Sequence, residues 1–348
     1  TDPDDGTGAL NYSWQTSADG NNWEEVGNSS TYQVTVADKG KSIKAVLSYT
    51  DGEGFEERVD TSSISIKKRP LIRGTSLYTL ITDNEIDSNN LQWYFAQFDA
   101  IAIGGNLVTI NDKAENEWIH KTFEIDSNPN RTEPSYYWTG LNDFDNEGDW
   151  KWISNEKVTF TNWWEEENKI TPPIDLESNI MSLGWASDKQ WYAQPDINNQ
   201  NIIGAISESE FIRRGDSAYV VVEGFSWEEA EYNSNRLGGH LVTINDSEEN
   251  EWIRANIGLG HWIGITDEEK EGEWKWISGE DVSYTNWMTG QPSNSTNPIS
   301  GEDQDYGWLH SNNNGEWDDN WSYYDGQGLP VVTGIAEIKL DPNNNPTG

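Results

Sequence analysis

Oxygen-bearing side chains gather at three points along one stretch of the chain: Gln291-Pro292-Ser293, Gly301-Glu302-Asp303 and Trp317-Asp318-Asp319. Calcium takes about 6–8 oxygen ligands, mostly carboxylates and amide carbonyls. The stretch supplies both, spaced by Gly, Ser and Asn residues that favour turns over helix or strand. So long an irregular run inside a compact domain is uncommon unless it is functional or disordered, and Trp317 against the carboxylate pair argues for order. Residues 291–319 therefore read as a loop that binds a calcium ion, Ca2+.

The rest of the composition supports that reading and excludes others. With 61 acidic and 22 basic residues the formal net charge is −39, which attracts cations and repels nucleic acid and anionic membrane. Because so acidic a surface also suits salty surroundings, only acids clustered at matching positions are read as sites. There is no cysteine, so disulfides, thiol catalysis and cysteine-zinc sites fall away together. His120, His240, His261 and His310 show no metal-ligand spacing. No apolar run reaches the roughly 18 residues of a membrane helix, so membrane insertion is not expected. The chain starts at Thr1 and reads as part of a longer multidomain chain. Twenty tryptophans mark it as folded.

The elements that would carry the loop show up as repeats. From about Arg69, the run Gly104-Gly105-Asn106-Leu107-Val108-Thr109-Ile110-Asn111-Asp112 with Glu115-Asn116-Glu117-Trp118-Ile119 returns as Gly238-Gly239-His240-Leu241-Val242-Thr243-Ile244-Asn245-Asp246 with Glu249-Asn250-Glu251-Trp252-Ile253. Trp138-Thr139-Gly140, Trp150-Lys151-Trp152 and Thr161-Asn162-Trp163 return as Trp262-Ile263-Gly264, Trp274-Lys275-Trp276 and Thr285-Asn286-Trp287. The offset falls from 134 to 124 residues between these landmarks, which places an insertion at Asp126 to Tyr136. Ser226 with Glu229, and Asp246 with Glu249, have capping-box spacing. Each copy is expected to run strand, helix, strand, short helix, then short strands and loops.

Residues 1–68 alternate instead in strand fashion, at Tyr12–Gln15, Thr31–Val36 and Ile43–Tyr49, between Gly- and Asp-rich turns. Tyr12, Trp14, the Ser17-Ala18-Asp19-Gly20 turn, Trp23 and Tyr49-Thr50-Asp51-Gly52 resemble the immunoglobulin-like (Ig-like) repeats of large bacterial surface proteins, which implies a spacer. Asp2, Asp4 and Asp5 read as an acidic terminus, with a junction calcium as the alternative. Lys67-Lys68-Arg69-Pro70 marks the boundary.

The Leu-Val-Thr-Ile run, the Glu-Asn-Glu-Trp segment, Trp262-Ile263-Gly264-Ile265, Trp274, Asn286-Trp287 and Gly334-Ile335-Ala336-Glu337 together resemble the C-type lectin-like domain, in both copies. The resemblance implies a principal calcium site on Gln291, Ser293, Glu302, Asp318 and Asp319, with a cis proline peptide aiming the triplet's side chains at the metal. The same five residues would bind carbohydrate, the ion taking two neighbouring hydroxyls of a saccharide. Ser293 departs from the family's amide or carboxylate at that position, so fucose, mannose and galactose types all stay open. An auxiliary site is implied on Asp267, Glu271, Asn294 and Asp303 with Glu302, the alternative being a plain acidic turn.

Gln194-Pro195-Asp196 in the first copy mimics a galactose-type triplet but stands in the wrong place. The spacing from Ile180 to Trp191 repeats that from Tyr306 to Trp317, so the ligand pair's positions hold Tyr192 and Ala193. The triplet's counterpart falls near Glu165 to Asn168, without a proline between ligands. Asp143, Glu147 and Glu177 retain the makings of an auxiliary ion. The first copy reads as a scaffold or a protein-binding face with a degenerate principal site.

The sequence has no Ser-His-Asp arrangement, phosphate-binding glycine loop or histidine metal centre, so no enzyme is expected. The expected fold class is mainly β with α+β domains: an N-terminal Ig-like β-sandwich (1–68), two C-type lectin-like domains without disulfides (69–212 and 213–340) and a tail (341–348). The expected function is calcium-dependent glycan binding by an extracellular, RTX-type adhesin on a bacterial surface. The alternative is a lectin-like fold that binds a host protein, its calcium only structural. Shallow glycan contacts of this kind gain strength by multivalency.

Overall fold

The two copies fold on one plan, and its origin is local. The computed structural model describes residues 10–17, 20–32, 41–50, 56–65, 71–82, 92–123, 125, 136–164, 179–184, 189–194, 202–297, 300–311, 314–322 and 332–340. Two compact units result, Thr1–Arg69 and Pro70–Gly348. Asp2, Asp4, Asp5, Lys67–Pro70, most of the 126–136 insertion and the 341–348 tail lie outside the described residues.

In the first unit β1 (Asn11–Ser17), β2 (Glu24–Gly27), β3 (Ser42–Thr50), β4 (Glu56–Asp60) and β5 (Ile64–Ser65) form one antiparallel sheet, ordered β2-β1-β3-β4 with β5 on β3. The strands expected at Tyr12–Gln15 and Ile43–Tyr49 fall within β1 and β3. Four residues of the one expected at Thr31–Val36 lie outside the described residues. Among the described residues this is a single sheet; a second sheet that would complete a sandwich is not among them.

In the second unit the first copy comprises β6 (Leu71–Arg73), β7 (Ser76–Thr82), α1 (Trp93–Ala102), β8 (Asn106–Leu107), α2 (Lys113–Thr122), β9 (Tyr136–Asn142), β10 (Lys151–Trp152), β11 (Ile180–Gly184), β12 (Trp191–Gln194) and β13 (Ile202–Glu210). The second repeats it as β14 (Ile212–Arg214), β15 (Ser217–Glu223), α3 (Trp227–Arg236), β16 (His240–Leu241), α4 (Ser247–Asn256), β17 (His261–Thr266), β18 (Lys275–Trp276), β19 (Tyr306–Leu309), β20 (Trp317–Asn320) and β21 (Thr333–Lys339). The sheets have one topology, β6-β7-β13-β9-β11-β12 and β14-β15-β21-β17-β19-β20.

Both capping boxes form. Ser226 Oγ accepts the Glu229 amide at 3.1 Å, and Asp246 Oδ1 accepts the Glu249 amide at 2.8 Å. These bonds satisfy donors that a helix start otherwise leaves orphaned. Glu249 does more. Its buried carboxylate takes Arg214 Nη1 at 3.0 Å, the Tyr219 hydroxyl at 2.8 Å and the Asn245 amide at 3.0 Å. Glu115 repeats the strut with Arg73 at 3.1 Å, Tyr78 at 2.7 Å and the Asn111 amide at 2.8 Å.

Tryptophan holds the site end of each copy. Trp317 is fully buried, with Trp276, Tyr284 and Trp287 against it at 5.6, 5.6 and 5.7 Å between ring centroids. Its Nε1 donates to Asn250 Oδ1 at 2.7 Å. Trp191 does the same through Asn116 at 2.8 Å. An aromatic ring burying about 150–250 Å² contributes roughly 4–6 kcal/mol at 25 cal/mol per Å². That is of the same order as the 2–5 kcal/mol lost when a native disulfide is removed from a small domain.

The copies also share core. Leu77 and Ile103 of the first cluster with Ala218, Val220, Val222, Leu237, Ala336 and Ile338 of the second. Gly104 lies so close that a Cβ there would stand 2.3 Å from the Val221 carbonyl oxygen. Arg236 Nη1, almost buried, meets Asp99 Oδ1 at 3.2 Å.

Candidate functional site

Two-residue alternation along β20 sorts its side chains. Trp317 and Asp319 are buried while Asp318 and Asn320 are half-buried, and the register sets Asp318 opposite Trp308 and Asp319 opposite Gly307. The loop before β19 then folds onto this strand. Its Gln291–Pro292 peptide is cis. The Ser293 amide donates to both oxygens of Asp319, at 2.9 and 2.8 Å, and the Asn294 amide to Oδ2 at 2.6 Å. Asn294 adopts φ 48°, a left-handed conformation that Asn tolerates better than most residues. Trp321 Nε1 donates to the Ser295 carbonyl at 3.0 Å and ties the loop to the strand's end.

The expected ligands fall into two groups. Gln291, Ser293, Asn294, Asp318 and Asp319 assemble about β20. Gln291 Oε1 and Asp318 Oδ1 are buried and make no hydrogen bond. Burial, followed by the charge of Asp319, pushes the Asp318 carboxyl up. Ser293 Oγ donates to Gln304 Oε1 at 2.8 Å, and the Ser295 amide donates to the same oxygen at 3.0 Å. Gln304 thus braces the triplet, a role the sequence did not single out.

Glu302, Asp303, Asp267 and Glu271 form the second group, to which the structure adds Asp305 and Glu268. Asp267 is 3% exposed. Its Oδ2 accepts the Gly272 amide at 2.9 Å, while Oδ1 is buried without a partner. Burial first, then Glu271 and Asp305, push its carboxyl up to about 6. Asp305 is raised by burial and by Glu271, Asp303, Glu268 and Glu302. Its place two residues beyond Asp303 was the available signal. Glu302 is exposed, with Ser300 Oγ donating to it at 3.2 Å, and Asp303 accepts from Thr296 Oγ1 at 2.7 Å.

Among the described residues no three His, Asp or Glu side chains converge as a ready chelate. The donor set nonetheless suits a hard cation. It consists of amide and carboxylate oxygens, three of which, Gln291 Oε1, Asp318 Oδ1 and Asp267 Oδ1, are buried acceptors without a donor. Each such oxygen costs about 1–3 kcal/mol when left unmade, and calcium is the kind of ion that takes them. Glu302 would have to turn inward from Ser300 to join.

The first copy builds the same frame and, among the described residues, places other side chains at the positions of the acidic pair. Register sets Trp191 opposite Leu183 and Tyr192 opposite Ser182, as Trp317 stands opposite Leu309 and Asp318 opposite Trp308. Tyr192 and Ala193 therefore stand where Asp318 and Asp319 stand. Asp143 does repeat Asp267: Oδ2 accepts the Gly148 amide at 2.7 Å and Oδ1 is buried without a partner. Glu147 is exposed nearby in sequence. Pro195, Asp196, Glu165–Asn168 and Glu177 lie outside the described residues.

Residues 89–203 and 223–328 match the family model described as Lectin C-type domain, together more than half of the chain. A perlucin-like protein of Mytilus galloprovincialis is 38% identical over 104 residues, 28% of this chain and 63% of the relative. Human C-type lectin domain family 10 member A is 32% identical over 126 residues, 35% of this chain and 39% of the relative. Human C-type mannose receptor 2 is 25% identical over 228 residues, 59% of this chain and 15% of the relative. The chain spans less than two thirds of the length of each. The mouse scavenger receptor C-type lectin carbohydrate-recognition domain shares 32% identity across 38% of this chain and 94% of that chain, with a TM-score of 0.32.

Proposed function

The chain belongs to the C-type lectin domain family, and from that premise we propose that its second lectin-like copy is a calcium-dependent glycan-binding module. Gln291, Ser293, Glu302, Asp318 and Asp319 would hold the principal ion, and Asp267, Glu271, Asn294, Asp303 and Asp305 an auxiliary one. When bound, calcium supplies a fixed positive centre whose open coordination positions accept two neighbouring hydroxyls of a saccharide. The protein's part is to orient the oxygens. Asp319 fixes the loop through the Ser293 and Asn294 amides, and Gln304 fixes the Ser293 hydroxyl.

The observation that carries the reading is the pair of buried, unpartnered oxygens, Gln291 Oε1 and Asp318 Oδ1, at positions where a metal-binding loop needs ligands. Relatives named for C-type lectin or carbohydrate-recognition domains support the glycan. In the larger setting the first unit would serve as an Ig-like spacer of an extracellular, RTX-type bacterial adhesin, so that several shallow sites act together.

One specific observation favours the competing reading, a protein-binding face with structural calcium: the Glu302 carboxylate is exposed and accepts from Ser300 Oγ instead of facing the loop. Calorimetric titration of calcium into chelator-treated chain, followed by glycan-array binding in calcium and in EDTA, separates the two. Calcium uptake with EDTA-sensitive glycan binding is expected. Calcium uptake without any glycan would hand the site to the protein-binding reading, and no uptake would end both.

A further inference from the structure

Where the second copy places Asp318, the first places an aromatic ring, Tyr192. Trp164 follows Trp163 as Met288 follows Trp287, and both backbones are pinned alike: the Trp164 amide donates to the Trp191 carbonyl at 2.9 Å and the Met288 amide to the Trp317 carbonyl at 2.8 Å. Tyr192 stands at the position of Asp318. The two substituted residues meet, with Trp164 stacked on Tyr192 at 6.1 Å between centroids and 25° between planes. Tyr136 also packs edge-on against Tyr192 at 5.4 Å and 73°. Gly184 makes the room, since a Cβ there would stand 2.5 Å from Tyr136 Cε1 and 2.9 Å from Tyr192 Cε2. Trp164 nevertheless remains 49% exposed.

We propose that Trp164 and Tyr192 form a metal-independent binding platform in the first lectin-like copy, which takes one neutral hexopyranose by its hydroxyl-poor C–H face. A half-exposed indole stacked on one side offers its other face to a ligand, and aromatic faces carry negative quadrupole charge that attracts polarised C–H groups. Gln194 lies two residues beyond Tyr192 on β12 and so on the same face of the strand. Size selects the occupant. One exposed indole matches one sugar ring, whereas a stable protein partner buries about 800 Å² on each side. Charge agrees, because a chain of net charge −39 disfavours an anionic ligand. The platform goes beyond the calcium reading and does not depend on it.

The test is saturation-transfer NMR on the full chain in EDTA, which silences any calcium site, with methyl β-D-galactopyranoside and methyl β-D-glucopyranoside as probes. Transfer to the axial ring protons of at least one probe is expected. It should fall at least tenfold in Trp164→Ala and in part in Trp164→Phe, while far-ultraviolet circular dichroism stays unchanged. Absence of transfer from both probes overturns the proposal, as it would if the rings receive a protein side chain. Equal transfer in wild type and Trp164→Ala overturns it as well.

Discussion

Copies one and two share a strand order, a buried Glu-Arg-Tyr strut and a tryptophan tied to a helix asparagine, yet differ at the strand edge where ligands would meet them. At that edge the second copy has Asp318 and Asp319 with a loop folded onto them; the first has Tyr192 and Ala193 with Trp164 laid across. At the site end the frame is set by buried residues whose partners lie inside each copy. The edge is set by residues that the frame merely presents. A fold can therefore keep its architecture while two adjacent positions exchange acidic side chains for a tyrosine and an alanine.

The hardest blow to the comparison would come from Asp319→Ala. Asp319 accepts the Ser293 amide at both oxygens and the Asn294 amide at one, so its loss removes both a proposed ligand and the tie that holds the triplet. Calcium affinity at the principal site should drop on the order of a hundredfold, read by calorimetry. The first copy already has alanine there, so an unchanged number of bound ions would mean that the two edges do not differ in metal binding. Next in size are Arg73→Ala and Arg214→Ala. Each leaves a buried glutamate without its cation, an expected loss of about 2–3 kcal/mol after allowance for the arginines' partial exposure. Denaturant unfolding should return similar values for both variants. A difference well above 1 kcal/mol would break the claim of one frame.

A smaller contrast concerns pH. Burial holds His261 down at about 4, against about 6.5 in an unfolded chain, and its Nδ1 lies 2.8 Å from Thr333 Oγ1. Above pH 6.5 the imidazole is neutral in both states. As pH falls from 6.5 toward 4 the unfolded chain gains a proton that the folded chain refuses, so this contribution to stability is lost across that window. From pH 7 to 5 the loss amounts to about 2 kcal/mol. The aligned residue of the first copy is Tyr137, which has no proton to gain there. Urea midpoints at pH 7 and 5 should therefore converge in His261→Gln relative to wild type; an equally steep fall in the variant would assign the acid response elsewhere.

Much of this contrast was legible in the sequence. The Ile180–Trp191 spacing located Tyr192 and Ala193, and strand register places them opposite Ser182 and Met181. Capping boxes were legible because the signal lies within four residues. The missed contributors are long-range or neutral. Gln304 matters only because the loop turns back to put Ser293 beside it, Asp305 only because Asp267 approaches across the chain, and Trp164 only because Gly184 leaves space for two tyrosines. Spacing along the chain does not encode such meetings. The shared core was invisible for the same reason, since Ile103 and Leu237 meet across 134 residues of chain.

Helix starts offer the finest version of the same comparison. Ser226 caps α3 through the Glu229 amide, and Glu229 Oε2 in turn accepts the Phe225 amide at 2.9 Å. Gln92 begins α1 with no side-chain cap. Ser226→Ala should therefore cost about 1 kcal/mol, and Gln92→Ser should gain up to about 1 kcal/mol, because a serine oxygen reaches an amide of the first turn and a glutamine in extended backbone does not. The Gln92 backbone already has the extended conformation of a cap residue, φ −70° and ψ 147°, so the substitution needs no rearrangement. Thermal unfolding of both variants checks the pair: opposite shifts support a local cap as the whole difference between the two helix starts. A loss in both would mean that Gln92 holds α1 by another contact, and that the two copies diverge at their helices as well as at their ligand edges.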